Sequence, residues 1–302
     1  MTPPPAALIA VDWGSTHLRA KLVLDGRVAA LASSLDGIRH LADRDCDAIL
    51  ASHCAAWRHT HPEARVLVSG MAGAREGWRE VPYVLAPCGL DDLASAVVPV
   101  PSETFGEALL VPGVRCDDPD RTTTDVMRGE ETQVAGLLDT LPADGSVLCL
   151  PGTHSKWVVC RGGRIETFRT WLTGEAYERL TRDSLVSGDG SPADPESDAF
   201  RLGVESAEGP GGLLHRIFLG RTHLLAGRLA ASEVRGYVSG LLVGHEIREG
   251  LAFSGDLPLI LVGDSPAVAA TASALRHLGV AHGRASGDAH LDGLLALAAR
   301  LG

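Results

Sequence analysis

The sequence predicts an α/β protein built from two similar domains, and three observations lead there. Short apolar runs bounded by Gly, Asp or Pro alternate with longer patterned stretches. One unit, in which strand, small-residue loop, strand, glycine turn and strand follow in order, occurs twice, about 140 residues apart. The 302 residues, 45% hydrophobic and 4% aromatic, suffice for a large core and two domains of ordinary size.

The first copy is LIAVDWGSTHLRAKLVLDGRVAALA, residues 8–32. Its first apolar run predicts a strand over 7–11 that stops at Asp12. After Gly14-Ser15-Thr16 a second strand is expected over 17–24, and beyond Asp25-Gly26 a third over 27–33. A helix over 43–58 and a strand over 65–69 follow. The stretch DVMRGEETQVAGLLDTLP then predicts a helix over 130–140 with an acidic start. The second copy, VLCLPGTHSKWVVCRGGRIETFRT, predicts strands over 146–150, 156–160 and 164–170. Helices are expected over 175–185, 232–251, 265–278 and 289–301, with a strand over 258–262. Segment 186–211, rich in Gly, Pro, Ser and Asp, reads as a connecting loop and a short helix.

Composition excludes several classes of function. The formal charge of −11 argues against nucleic acid as a partner, because that binding needs basic residues on phosphates. The longest apolar runs, such as LPLILVG, fall short of the roughly 20 residues that cross a bilayer. Six cysteines without a CxxC pair, and a start lacking the features of a secretory signal, point to a cytoplasmic protein with reduced thiols.

The two small-residue loops carry the candidate chemistry. Backbone amides of Gly14, Ser15 and Thr16 can line a concave turn suited to phosphate oxygens, with the two hydroxyls beside them. Asp12 would repel phosphate unless a divalent cation lay between, which makes it a Mg²⁺ partner, directly or through water. Arg19 can offset charge on a transferring group. Gly152, Thr153 and His154 repeat the design, with Lys156 as the cation. The plain alternative is that both units are ordinary hairpins with glycines for tight turns. His154 reads equally as a hydrogen-bonded turn residue, and Trp157 as core.

Between the loops, Glu130 can take a proton from an attacking hydroxyl, while acidic residues in a first helical turn also simply complement the helix dipole. Arg128 can hold an anion or shift that carboxylate. Near the C-terminus, Gly263 in a turn before Ser265-Pro266 and a helix can accept a nucleoside, though such joints are common in α/β proteins.

Together, two phosphate loops, an acidic helix start and a late glycine turn resemble the actin-like ATPase superfamily of sugar kinases, actins and heat-shock ATPases. More narrowly, DWGSTHLRA, SGMAGAREGW, VMRGEETQ, PGTHSKWV and FRTWLTGE are similar to the 2-dehydro-3-deoxygalactonokinases over nearly the whole chain. The resemblance implies two ribonuclease H-like domains, each a mixed sheet flanked by helices, with an interdomain cleft. They would span 1–128 and 129–302, the last helix packing back on the first domain. It implies phosphorylation of the 6-hydroxyl of 2-dehydro-3-deoxy-D-galactonate by ATP with Mg²⁺, a step of galactonate breakdown.

Under that resemblance Asp12 manages Mg²⁺, the two loops hold phosphates, and Gly263 and Asp264 border adenosine. Glu130 falls where related kinases place an aspartate base. The substrate carboxylate calls for a bidentate arginine, with Arg128 and Arg169 as candidates and Arg75 behind them. Thr173 and Glu175 are candidates for sugar hydroxyls. A homodimer is compatible with the sequence. An exopolyphosphatase or a non-catalytic nucleotide sensor of the same superfamily are the rival readings.

Overall fold

The structure, a computed structural model, describes residues 6–41, 45–117 and 123–301. Its first stretch holds β1 (Ala7–Trp13), β2 (Leu18–Leu24), β3 (Arg27–Ser34), α1 (Cys46–Thr60), β4 (Arg65–Gly70), β5 (Val84–Leu85) and β6 (Cys88–Gly89). Then come α2 (Leu90–Ser95), β7 (Val98–Ser102), β8 (Gly106–Leu110), β9 (Val114–Asp117), β10 (Thr124–Met127) and α3 (Glu130–Ala135). β11 (Ser146–Leu150), β12 (Ser155–Arg161), β13 (Arg164–Trp171), α4 (Thr173–Arg182), α5 (Asp198–Ser206) and α6 (Gly212–Leu225) follow. The chain ends with α7 (Val234–Ser254), β14 (Leu259–Leu261), α8 (Pro266–His277), β15 (Gly283–Arg284) and α9 (Ala289–Ala298).

Two compact units result, one of residues 1–144, 160–167 and 286–302, the other of 145–159 and 168–285. The division falls at 144/145 where 128/129 was expected, because α3 packs on α9 inside the first unit.

In the first unit a six-stranded sheet runs in the order β3-β2-β1-β4-β8-β7. β1 pairs antiparallel with β2 and parallel with β4. Ala7, Ile9, Val11 and Trp13 point into one hydrophobic core with Leu50 and Cys54 of α1, while Leu8 and Ala10 are buried on the opposite face. A strand covered on both faces reads as a continuous apolar run, which is why β1 is so apolar. A separate three-stranded sheet has the order β10-β9-β5, and β6 pairs with Arg164 and Ile165.

The second unit carries the order β15-β14-β11-β12-β13, with β14 parallel to β11 and to β15. Its core joins Val147, Cys149 and Trp157 to Phe200, Ile247 and Leu275, and a second cluster centres on Tyr237 and Leu241 of α7. The Ser265 side chain caps α8 and Pro266 occupies its first turn, as the sequence suggested. All six cysteines are free, and no helix among the described residues is long and apolar enough to cross a membrane.

Several expectations needed correction. The helix over 130–140 stops at Ala135, and a 3₁₀ turn covers Leu138–Thr140. The start expected for α1 at 43 and 44 lies outside the described residues. Strands β5 to β10, α2 and α6 were not anticipated.

The junction of α3 and α9 is a backbone contact. A Cβ on Gly293 would lie 1.8 Å from the Thr132 carbonyl oxygen, and one on Gly136 2.2 Å from the Ala289 oxygen. Gly293→Ala must therefore push α9 outward, and overpacking of this kind costs about 1–3 kcal/mol. Denaturant unfolding should show a lower midpoint for G293A, whereas Gly255→Ala, which meets open space but at φ 64°, should carry only its backbone strain.

Candidate functional site

The pleat of the first sheet decides which side chains meet. Residues 7, 9, 11 and 13 of β1 enter the core shared with α1, so Asp12 belongs to the face that carries Leu8 and Ala10. In register, Asp12 stands opposite Arg19 and Ser69, and Ala10 opposite Lys21. Helix α9 packs against β1 and β4 and brings its first turn to this group.

Four contacts define the cluster. Arg19 Nη1 lies 3.3 Å from Asp12 Oδ2, with Arg19 59% exposed. Lys21 pairs with Asp288, whose other oxygen caps α9 by accepting the Leu291 amide at 3.1 Å. His290 Nε2 is 2.6 Å from Ser69 Oγ and 3.9 Å from Asp12 Oδ1. One nitrogen faces both groups, so this is no nucleophile relay, which needs a separate ring nitrogen for each partner. Burial pulls the His290 imidazole below its usual value, with Asp12 acting in the opposite direction.

The first small-residue loop follows directly. The Gly14 amide donates to the His17 carbonyl at 2.9 Å, and the Gly14 and Ser15 carbonyls accept from the Ile38 and Arg39 amides at 3.1 Å each. The Thr16 hydroxyl lies 2.8 Å from His17 Nδ1. Gly37 seats the loop, since a Cβ there would lie 2.3 Å from Thr16 backbone atoms.

Arg128, Glu130 and Glu131 occupy the start of α3. Arg128 Nη2 donates to the Val81 carbonyl at 2.8 Å, and its guanidinium carbon sits 4.4 Å from the centre of the Tyr83 ring. Its Nε and Nη1 are buried without a hydrogen-bond partner among the described residues. Glu130 Oε2 accepts the Arg128 amide at 3.1 Å. Glu131 is 0% exposed and accepts the Gly129 amide at 2.6 Å and the Thr132 hydroxyl at 3.0 Å. Burial, and then the charge of Glu130, push its carboxyl up to about 8. Of these neighbouring acids only Glu130 is partly exposed.

In the second unit, the loop after β11 is tied to α4. The Glu175 amide donates to the Thr153 carbonyl at 3.0 Å, and His154 Nε2 lies 2.8 Å from Glu175 Oε2. A Cβ on Gly174 would come 2.4 Å from the Gly152 oxygen, so FRTWLTGE needs its glycine there. Lys156, expected as an open cation, is 3% exposed and donates to the His154 carbonyl at 3.1 Å. Trp157 is core, as one reading held. Thr173 gives its hydroxyl to Glu246 on α7. Arg169 lies 4.6 Å from the centre of the Phe253 ring, and Arg75 is exposed.

A cavity of about 510 Å³ opens beside this loop. Pro151, Gly152, Thr173, Tyr177, Glu246 and Pro266 are among its walls, the rest being largely Ala, Pro, Leu and Val. Helix α8 lines it from Pro266 onward, so Gly263 (φ 98°) and the exposed Asp264 lie just ahead of the lining rather than on it. Among the described residues no group of three or more His, Cys, Asp or Glu forms a metal cage. A single carboxylate such as Asp12 nevertheless suits Mg²⁺, which takes one or two carboxylates and fills its remaining positions with water and phosphate.

The sequence did not point to Ser69, Tyr83, Glu131, Glu246 or His290. Only Ser69 had a usable signal, through the parity it shares with Asp12 once β1 and β4 are paired.

The family model for 2-keto-3-deoxy-galactonokinase matches residues 12–297. The chain belongs to this family. The 2-dehydro-3-deoxygalactonokinase of Escherichia coli (strain K12) is 33% identical over 80% of this chain and 80% of its own. A "Probable 2-dehydro-3-deoxygalactonokinase" of Rhizobium meliloti (strain 1021) is 35% identical over 82% and 81%. The crystal structure of a candidate 2-dehydro-3-deoxygalactonokinase from Sinorhizobium meliloti superposes with a TM-score of 0.88 at 33% identity, covering 97% of this chain and 98% of that one. The (R)-2-hydroxyglutaryl-CoA dehydratase component A of Acidaminococcus fermentans, at 12% identity and TM-score 0.51 over 98% and 97%, shares the fold alone. The mixed α/β fold is that of the actin-like ATPases and sugar kinases.

In this 2-keto-3-deoxy-galactonokinase family member, Glu131 makes stability depend on pH. The folded chain keeps the Glu131 proton to about pH 8, whereas the unfolded chain releases it near the ordinary 4.5. The folded state therefore binds more protons, and this contribution to stability is full below pH 4.5 and lost as pH rises toward 8. Glu131→Gln should raise the melting temperature at pH 8 and leave it nearly unchanged at pH 4.5, read by thermal scans across that range.

Proposed function

We propose that the protein transfers the γ-phosphate of ATP to the 6-hydroxyl of 2-dehydro-3-deoxy-D-galactonate. The observation that carries this reading is Arg128, a cation whose Nε and Nη1 are buried with no hydrogen-bond partner among the described residues. A buried guanidinium with unsatisfied donors calls for an anionic acceptor, and the carboxylate of a 2-keto acid is one. Membership of the family and the curated relatives support the substrate class.

Roles follow from environment. Glu130, beside Arg128 and partly exposed, accepts the proton of the attacking hydroxyl, while Glu131 is engaged by the Gly129 amide and the Thr132 hydroxyl. Gly14, Ser15, Thr16 and Arg19, together with Gly152, Thr153 and His154, hold the phosphates. Glu175 orients the His154 ring and Lys156 braces the loop from beneath. Asp12 holds Mg²⁺, which when bound offsets phosphate charge. Adenosine enters the 510 Å³ cavity against α8, with Gly263 and Asp264 at its approach. Arg169 and Thr173 keep supporting parts, because the first stacks on Phe253 and the second serves Glu246. The reaction takes place in the cytoplasm on a small sugar acid. The exopolyphosphatase and sensor readings lack this family support.

Steady-state kinetics tests the assignment. Arg128→Ala should lower kcat/KM for the sugar acid by about 100-fold, mainly through KM, because it removes a buried charge partner. The KM for ATP should stay within about twofold, and aldonates lacking the 2-keto group should be poor substrates for the parent enzyme. Equal losses for both substrates, or none, would contradict the reading.

A further inference from the structure

Glu246 is a buried acid that the proposed chemistry does not use. It lies on α7 within the second unit and is 2% exposed. Trp157 Nε1 donates to it at 3.0 Å, and while burial pushes its carboxyl up, the hydroxyls of Thr173 and Ser155 stand close enough to favour its charged form. Two of these groups come from the first and third residues of β12 and the other from the first residue of α4. One helical turn farther on, Gly250 lets the Trp157 ring lie against the α7 backbone, where a Cβ would come within 2.4 Å. Helix and strand are thus locked together at this carboxylate.

The arrangement fixes a direction as well as a position. A serine hydroxyl has one proton and two lone pairs. By giving its proton to Glu246, Ser155 turns its lone pairs toward the Gly152 amide, which donates to Ser155 Oγ at 3.3 Å. Without an acceptor at 246 the hydroxyl loses that preference, and the Gly152 amide loses its anchor.

We infer that Glu246 is a positioning residue for the loop Gly152–His154, setting the Ser155 hydroxyl that holds the Gly152 amide and joining the loop to the start of α4. The inference rests on the reading that this loop holds ATP phosphates. It concerns the phosphates rather than the nucleoside, because the carboxylate oxygens are already engaged by protein donors.

Calorimetric titration of the full chain with Mg·ATP and, separately, with AMP tests it. Glu246→Leu should weaken Mg·ATP binding about tenfold and AMP, which lacks the β- and γ-phosphates, several-fold less, and Glu246→Gln, which keeps an acceptor oxygen, should recover most of the loss. Ser155→Ala carries the same expectation in milder form and serves if E246L fails to fold. Parallel loss of both nucleotides would make Glu246 a nucleoside contact or a general fold determinant, and would overturn the inference. So would unchanged Mg·ATP binding in E246L and S155A while Gly152→Ala weakens it. Unchanged binding in G152A, whose added methyl meets open space, would instead defeat the loop reading and this inference with it.

Discussion

Close approach of one backbone to another is the constraint on which this site depends. A Cβ on Gly37 would overlap Thr16, one on Gly174 would overlap Gly152, and one on Gly293 would overlap Thr132. Glycine is therefore required at three places where loops or helices carrying candidate residues are seated. The same docking of α9 on α3 puts His290 beside Ser69 and Asp12 within the first unit.

Electrostatics then divides the labour between neighbours. Glu130 and Glu131 are adjacent in sequence, yet burial sends the second toward the neutral form while the first stays at the surface of the helix start. Arg128 is held by one nitrogen on the Val81 carbonyl and by the ring face of Tyr83, while its Nε and Nη1 are buried without a hydrogen-bond partner among the described residues. A buried polar group left in that condition is costly.

Much of this was legible from the chain. β1 to β4, β11 to β14, α4 and α7 to α9 follow runs with clear period or punctuation, and the loop motifs sit at the strand ends where they were expected. The failures have physical causes. β7 holds Pro99 and Pro101, which its edge position tolerates but which mask a strand, and β5 and β6 are only two residues each. α6 carries apolar residues nearly all round, with Leu214 83% exposed, so no stripe marks it. His290 and Glu246 reach their partners over 221 and 89 residues, distances at which local pattern is silent. Lys156 looked like a phosphate cation from spacing alone, and only burial revealed its bond to the loop backbone.

The central claim is that a sugar-acid hydroxyl, rather than water, receives the phosphate. Phosphorus and proton NMR of the products from equimolar ATP and 2-dehydro-3-deoxy-D-galactonate measures this directly. The account predicts ADP and a phosphomonoester on carbon 6 in equal amounts. Orthophosphate in place of the ester, or turnover of ATP that is indifferent to the sugar acid, would contradict it.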